Sequence, residues 1–209
     1  MIDRMPKAAV IRWRFAAGLC AAVLACASAA ALHALDLDVT ASDVERAMAI
    51  ARSSEGERAR FHAAYIVSPV NDTVERIDVI TEFRRLVMAG EARGLMGDWM
   101  FLHSIAPAQK AVERWHGLVT VAARLRFHPL NVLTSIPPYT IVLGGEPQAD
   151  PVAARTTPIW GQGDSTALLG ANLEADFRAA DVGQAARVVR IVLERGEVAS
   201  VTVDFARIQ

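Results

Sequence analysis

Residues 187–208, RVVRIVLERGEVASVTVDFARI, decide the fold. Apolar and polar residues alternate through residues 187–193 and again through 200–205, with Arg195, Gly196 and Glu197 between the two runs. Alternation with a period of two predicts two β-strands, and a glycine-containing connection predicts the turn of a β-hairpin. Because an isolated hairpin is marginally stable in water, other strands must cover its apolar face.

Earlier parts of the chain supply such strands. Consecutive alternating stretches with no helix between strands after residue 118 favour antiparallel pairing. We therefore predict a mainly β fold, an antiparallel β-sandwich of about seven strands with two or three short helices in the N-terminal half. The alternative is an α+β fold with one antiparallel sheet. The predicted strands before the hairpin are residues 61–67, 74–81, 118–127, 139–143 and 169–177.

Helical spacing occurs in three places before residue 118. Ser42 and Glu45 form a capping-box pattern at the start of a predicted helix that ends at Gly56. A second helix is predicted over residues 82–95, and a third carries its apolar face from Ala108 to Trp115.

The N-terminus has the pattern of an export signal. Four basic residues precede residue 15, residues 15–35 contain no Asp, Glu, Lys or Arg, and Ala27-Ser28-Ala29 matches an A-x-A cleavage site. We therefore divide the chain into residues 1–29, a signal peptide or N-terminal membrane anchor, and residues 30–209, one globular β-rich domain. Cleavage, retention as an anchor and lipidation at Cys26 all remain open, since the uncharged run is long enough to span a bilayer.

Charge and cysteine usage restrict the chemistry of residues 30–209. Without the N-terminal segment the net charge is about −4, and no basic tract remains to bind a nucleic-acid backbone. Both cysteines, Cys20 and Cys26, lie in the N-terminal segment, so the domain has no thiol nucleophile, cysteine metal site or disulfide. Arginine outnumbers lysine twenty to two, which suggests a bacterial source. We predict an exported protein that contacts a membrane only through its N-terminal segment.

A long connection holds the predicted ligand-binding residue. Residues 144–165, GGEPQADPVAARTTPIWGQGDS, are rich in glycine and proline and show no periodicity, which predicts a loop. Trp160 lies in this loop and is the predicted contact for an envelope protein or a glycan.

Catalytic and metal motifs are weak. Gly163-Asp164-Ser165 resembles the nucleophile block of GDS hydrolases, but no histidine follows His128, so we interpret it as a turn. Glu113 and His116 have the spacing of a carboxylate-bridged metal site, without the second copy that such a site needs. His62, His103 and His128 show no metal-binding spacing. We predict no catalytic residue, metal or cofactor.

These patterns favour an exported interaction or structural module of the cell envelope. The alternative is a hydrolase of envelope polymers whose site is built from dispersed His, Asp and Glu residues. Histidines beside carboxylates in a concave pocket would favour the hydrolase, and isolated histidines on strand faces would favour the module.

Overall fold

The computed structural model describes residues 39–161, 167–194 and 196–208, all within one compact unit. Eight strands form two antiparallel sheets in the described residues, and every paired strand runs antiparallel to its neighbour. The larger sheet has the order β1 (Ile66–Val67), β2 (Val74–Ile80), β3 (Leu118–Arg126), β6 (Leu168–Arg178) and β5 (Ala153–Trp160). The smaller sheet has the order β4 (Thr140–Gly144), β7 (Ala186–Leu193) and β8 (Gly196–Asp204).

The two sheets share one hydrophobic core. Val121 and Phe177 of the larger sheet belong to the same buried cluster as Ile191 and Val203 of the smaller one. Removing apolar side chains from water on both inner faces at once is the main stabilising contribution in a two-layer β fold. The prediction of a mainly β, sandwich-like antiparallel fold is confirmed.

The terminal hairpin has the predicted strands. Val189 pairs with Val201 across β7 and β8, and Phe205 is fully buried. Phe205 begins a short 3-10 turn after β8 rather than extending the strand. The Asp204 side chain caps that turn by accepting from the Ala206 amide, 3.1 Å away.

Helices form a second buried cluster. Four helices lie in the N-terminal half, against the two or three predicted, and a short fifth follows β6. Gly90 permits the close contact of the first and third helices, because a Cβ there would lie 2.7 Å from Cβ of Ala51. The helices are α1 (Ala41–Ala51), α2 (Glu55–Ala63), α3 (Glu82–Leu95), α4 (Ile105–Val112) and α5 (Ala179–Val182).

The predicted strand over residues 61–67 is wrong. Most of this stretch lies in or just after α2, and only Ile66–Val67 forms a strand. Ser54 and Glu57 make a reciprocal capping box that starts the helix, so Gly56 lies in its first turn and does not end α1. The helix and strand predicted over residues 74–95 are confirmed by β2 and α3.

The predicted loop over residues 144–165 is also wrong in part. Residues 153–160 form β5, the edge strand beside β6. Its residues are exposed or half-buried on both faces, so burial imposes no alternation that a sequence pattern could reveal. The chain therefore has eight described strands where about seven were predicted.

Candidate functional site

The four described histidines do not converge. Within the described residues, no group of three or more His, Cys, Asp or Glu residues is arranged to hold a metal ion. Each ring has separate neighbours: His62 lies 3.1 Å from Glu91, His103 lies 2.9 Å from Arg52, His116 lies 3.3 Å from Glu82, and His128 accepts from the Leu130 amide at 3.2 Å.

His62 is the histidine most closely surrounded by charged side chains. Nε of Arg84 donates to Nδ1 of His62 at 3.3 Å. Because a guanidinium only donates hydrogen bonds, Nδ1 is the acceptor and the proton of the neutral ring is on Nε2. Nε2 lies 3.1 Å from each carboxylate oxygen of Glu91, and Nε of Arg58 lies 3.4 Å from the same carboxylate.

The sheet fixes the position of Arg84. This side chain is buried, and it donates to the Val79 carbonyl at 2.7 Å and to the Asp78 carboxylate at 3.1 Å. These contacts form a row of hydrogen-bonded side chains that runs from Asp78 in β2 through Arg84 and His62 to Glu91. Both nitrogens of His62 are engaged, so the neutral ring has no lone pair free to accept a proton from a substrate.

A cleft of about 520 Å³ opens beside this row. That volume lies in the range of small-molecule sites. The described lining residues include no serine, cysteine or lysine that could act as a nucleophile. The charged side of the cleft includes Arg58, His62 and Glu91, and the apolar side of the cleft includes Leu95, Trp99 and Leu102.

The turn that follows α3, residues 95–100, presents large apolar side chains to solvent. Leu95 is 90% exposed, Met96 78%, Trp99 63% and Met100 80%. Single exposed apolar residues are ordinary, but four within six residues are a concentration of the kind found at interaction sites. We call residues 95–100 the apolar turn.

The apolar turn is held by its own hydrogen bonds. Gly97 adopts a φ of +75°, which lets the chain reverse after α3. The Asp98 carboxylate accepts from the Phe101 amide at 3.1 Å and pairs with Arg93 at 3.3 Å. Its exposed side chains therefore stand on a defined backbone, which reduces the ordering cost of binding.

Trp160 lies at the end of the edge strand β5. It is 47% exposed and lies opposite Leu168, at an irregularity in the pairing of β5 with β6. Leu130 and Val132, in the connection that follows β3, are also exposed. Asn131 lies between them and donates a hydrogen bond to the Leu168 carbonyl at 2.9 Å. Ligand binding by Trp160 stays a prediction. The sequence Gly163-Asp164-Ser165, which we interpret as a turn, lies outside the described residues.

A polar network that the sequence did not reveal joins α3 to the larger sheet. Arg85 donates to the Thr120 hydroxyl, which in turn donates to the Asp176 carboxylate. Arg155 of β5 donates to Asp176 at 2.9 Å and to Glu174 at 2.9 Å. The register explains this network, because Thr120 pairs with Asp176 across β3 and β6.

Burial and hydrogen bonding shift the pKa values of two arginines in this network. Burial lowers the pKa of Arg85 to about 10, an effect that nearby Asp176 and Glu174 partly offset. Hydrogen bonds to Glu174 and then to Asp176 raise the pKa of Arg155. Both carboxylates accept hydrogen bonds from the Arg155 guanidinium.

The pair Glu113 and His116 does not form a metal site in the described residues. Both line a cleft of about 360 Å³ together with Glu82, Lys110 and Val39. A lysine among the carboxylates competes with any cation, and no second Glu-x-x-His faces this pair in the part of the chain that the structure describes.

The N-terminal predictions fall outside the described residues. This holds for residues 1–29 and for the lipidation candidate Cys26. Among the residues that the structure describes, no helix is both long enough and apolar enough to cross a membrane.

Comparison with known proteins gave no relative: no protein-family model, no curated protein and no solved structure matches the chain. The cleft and the apolar turn are therefore the features from which a function must be argued. Sequence reasoning missed both, although the four large apolar residues between 95 and 100 were a visible signal.

Proposed function

We propose that the protein is an exported binding module of the bacterial cell envelope, whose binding site is the cleft of about 520 Å³ between α2, α3 and the apolar turn. The observation that carries the proposal is the exposure of Leu95 and Trp99 on the wall of this cleft. An exposed aromatic anchor on a defined backbone is the usual centre of a binding surface.

The cleft fits an amphipathic ligand or partner segment. Leu95, Trp99 and Leu102 supply apolar contact on one side. Arg58, His62 and Glu91 supply polar and charged groups on the other, where Glu91 contacts both Arg58 and His62. An envelope protein segment or a lipid-linked glycan has both properties, which agrees with the partner class expected from the export signal.

The second candidate is a hydrolase of envelope polymers, favoured by the adjacency of His62 and Glu91 in a concave site. Against it, Arg84 occupies the second nitrogen of His62, and the described lining lacks a nucleophile. Substitution of Glu91 by Gln tests this candidate. Loss of polymer cleavage by the purified protein, with the fold retained, would favour the hydrolase over the module.

Photo-crosslinking in the native host tests the binding function. A benzophenone amino acid at position 59, an exposed alanine on the cleft wall, is expected to give a discrete adduct in the envelope fraction. The same group at Val70, which is fully exposed in the connection between β1 and β2, is the matched control. Identical adducts, or none, at both positions would contradict the proposal.

Export needs its own test. The intact mass of the protein from its native host is expected to show loss of about 29 residues, as the A-x-A pattern indicates, or a lipid attached at Cys26. An unmodified Met1 in the cytoplasmic fraction would contradict export.

A further inference from the structure

The apolar turn has basic side chains on both sides. Arg52 and Arg58 line the cleft on one side of it, and Arg93 and Lys110 line a groove on the other side together with Met100. The acidic neighbours Glu91 and Asp98 are paired with Arg58 and Arg93. Glu55 also lines the cleft.

This combination fits the surface of an anionic bilayer. Tryptophan is enriched at the level of the lipid headgroups, where its ring is apolar and its indole N–H can remain hydrated. Leucine and methionine side chains can enter the acyl region. Arginine and lysine side chains can extend their charged ends toward the phosphates while their aliphatic stems remain in apolar surroundings. Basic residues beside such a patch are attracted by the negative surface potential.

The shape of the apolar turn also favours a lipid surface over a folded protein. Four side chains that are 63–90% exposed project from one short turn. A fluid interface can accommodate a small projection of this kind, whereas a stable protein interface needs ~1,200 Å² or more of complementary area.

We propose that the apolar turn is a membrane-contact surface in addition to the N-terminal segment: Leu95, Met96, Trp99 and Met100 enter the interface of an anionic bilayer, and Arg52 and Lys110 contact its phosphates. This rests on the envelope location in the proposed function. It places the mouth of the cleft at the lipid surface, where an amphipathic ligand would enter with its lipid part on the side of Trp99.

Quenching by brominated lipids tests the contact on the full-length chain. The probe is a vesicle of phosphatidylcholine and phosphatidylglycerol with bromine on the acyl chains, which quenches only tryptophans near the bilayer. The fraction of fluorescence quenched is expected to fall in Trp99→Phe to about two-thirds of the wild-type value, because Trp13 in the N-terminal segment is still present. It is expected to rise in Trp160→Phe, the matched control, because this substitution removes a similarly exposed tryptophan that lies at the end of β5 and is not quenched.

Equal quenching in the wild type and both variants would overturn the proposal, since the N-terminal segment alone would then account for binding. Quenching of Trp99 that is the same without phosphatidylglycerol would overturn the role of Arg52 and Lys110. Cell fractionation distinguishes failure of the membrane contact from failure of the proposed function. A protein found in the envelope whose Trp99 is not quenched contradicts only the membrane contact.

Discussion

Nε of Arg84 lies 3.3 Å from Nδ1 of His62, and this contact fixes the ring proton on Nε2, toward Glu91. The same guanidinium binds Asp78 and the Val79 carbonyl. A buried arginine thus connects the sheet to the charged side of the cleft. His62 is held in place as a hydrogen-bond donor.

Arg84→Met is expected to destabilise the fold by ~1–3 kcal/mol, because it leaves the carbonyl of the buried Val79 without this donor, while Asp78 keeps Arg76 as a partner. Arg76→Met is the matched control, since Arg76 lies 2.9 Å from the same Asp78 carboxylate but is 45% exposed. Its cost is expected to be ~0–1 kcal/mol. Urea unfolding measures both, and equal costs would contradict the structural role of Arg84.

Much of the fold could be predicted from the alternation of apolar and polar residues along the sequence. The strands β3, β6, β7 and β8 each bury one face, so their apolar residues recur every second position. The edge strand β5 buries little on either face and left no such pattern. Residues 61–67 misled the prediction, because Phe61 and Tyr65 alternate like a strand while Phe61 lies in α2 and packs against both buried clusters.

The site was less predictable than the fold. His62 and Glu91 are 29 residues apart, and only the packing of α2 beside α3 brings them within 3.1 Å. The cleft needs α1, α2, α3 and the apolar turn together. No local spacing encodes such an arrangement. Trp99 could have been noticed from its apolar neighbours, but its exposure depends on the turn at Gly97.

Gly145→Ala is expected to destabilise the fold. Gly145 adopts a φ of +138°, and a Cβ there would lie 2.1 Å from a guanidinium nitrogen of Arg187. Arg187 cannot move freely, because it is buried and donates to the carbonyls of Val182, Pro147 and Asp181. Backbone strain alone predicts a cost of ~1–3 kcal/mol.

Gly56→Ala is the control for this substitution. Gly56 lies in the first turn of α2, and nothing lies within 4 Å of the added Cβ. Alanine is expected to be neutral or stabilising by up to ~1 kcal/mol there. Thermal unfolding compares the two variants, and a Gly145 variant as stable as the Gly56 variant would refute the contact with Arg187.

Phe205→Ala is expected to cost ~3–5 kcal/mol, because the ring is fully buried between the sheets and its loss leaves a cavity. Val188→Ala in β7 removes an exposed side chain and is expected to change stability by less than ~0.5 kcal/mol. Chemical denaturation measures the difference. Similar small losses for both would mean that the hairpin is not part of the core.

Lowering the pH is expected to destabilise the first turn of α2, because it protonates Glu57. Its hydrogen bonds with the Ser54 hydroxyl and then the Ser54 amide lower the pKa of Glu57 from its ordinary value of 4.5. A lowered folded-state pKa means that this contribution to stability is complete above pH 4.5 and is lost as the pH falls through the folded-state value.

Glu57→Gln is therefore expected to lose less stability than the wild type as the pH is lowered in this range. Glu55→Gln removes the same charge from the same turn but leaves the capping box intact, so it serves as the control. Urea unfolding at a series of pH values gives the comparison. Equal acid sensitivity of the wild type and Glu57→Gln would show that the capping bond does not contribute.

The central claim is that the cleft beside Trp99 is occupied in the native envelope. Its most direct measurement is the rate at which a membrane-impermeant maleimide labels Ala59→Cys on the cleft wall, compared with Val132→Cys on an exposed connection. Labelled peptides identify each site separately from Cys20 and Cys26. We expect the ratio of the two rates to be at least about tenfold lower in intact envelopes than in the purified protein, because a bound partner excludes the reagent from the cleft. The same ratio in both settings would contradict the account.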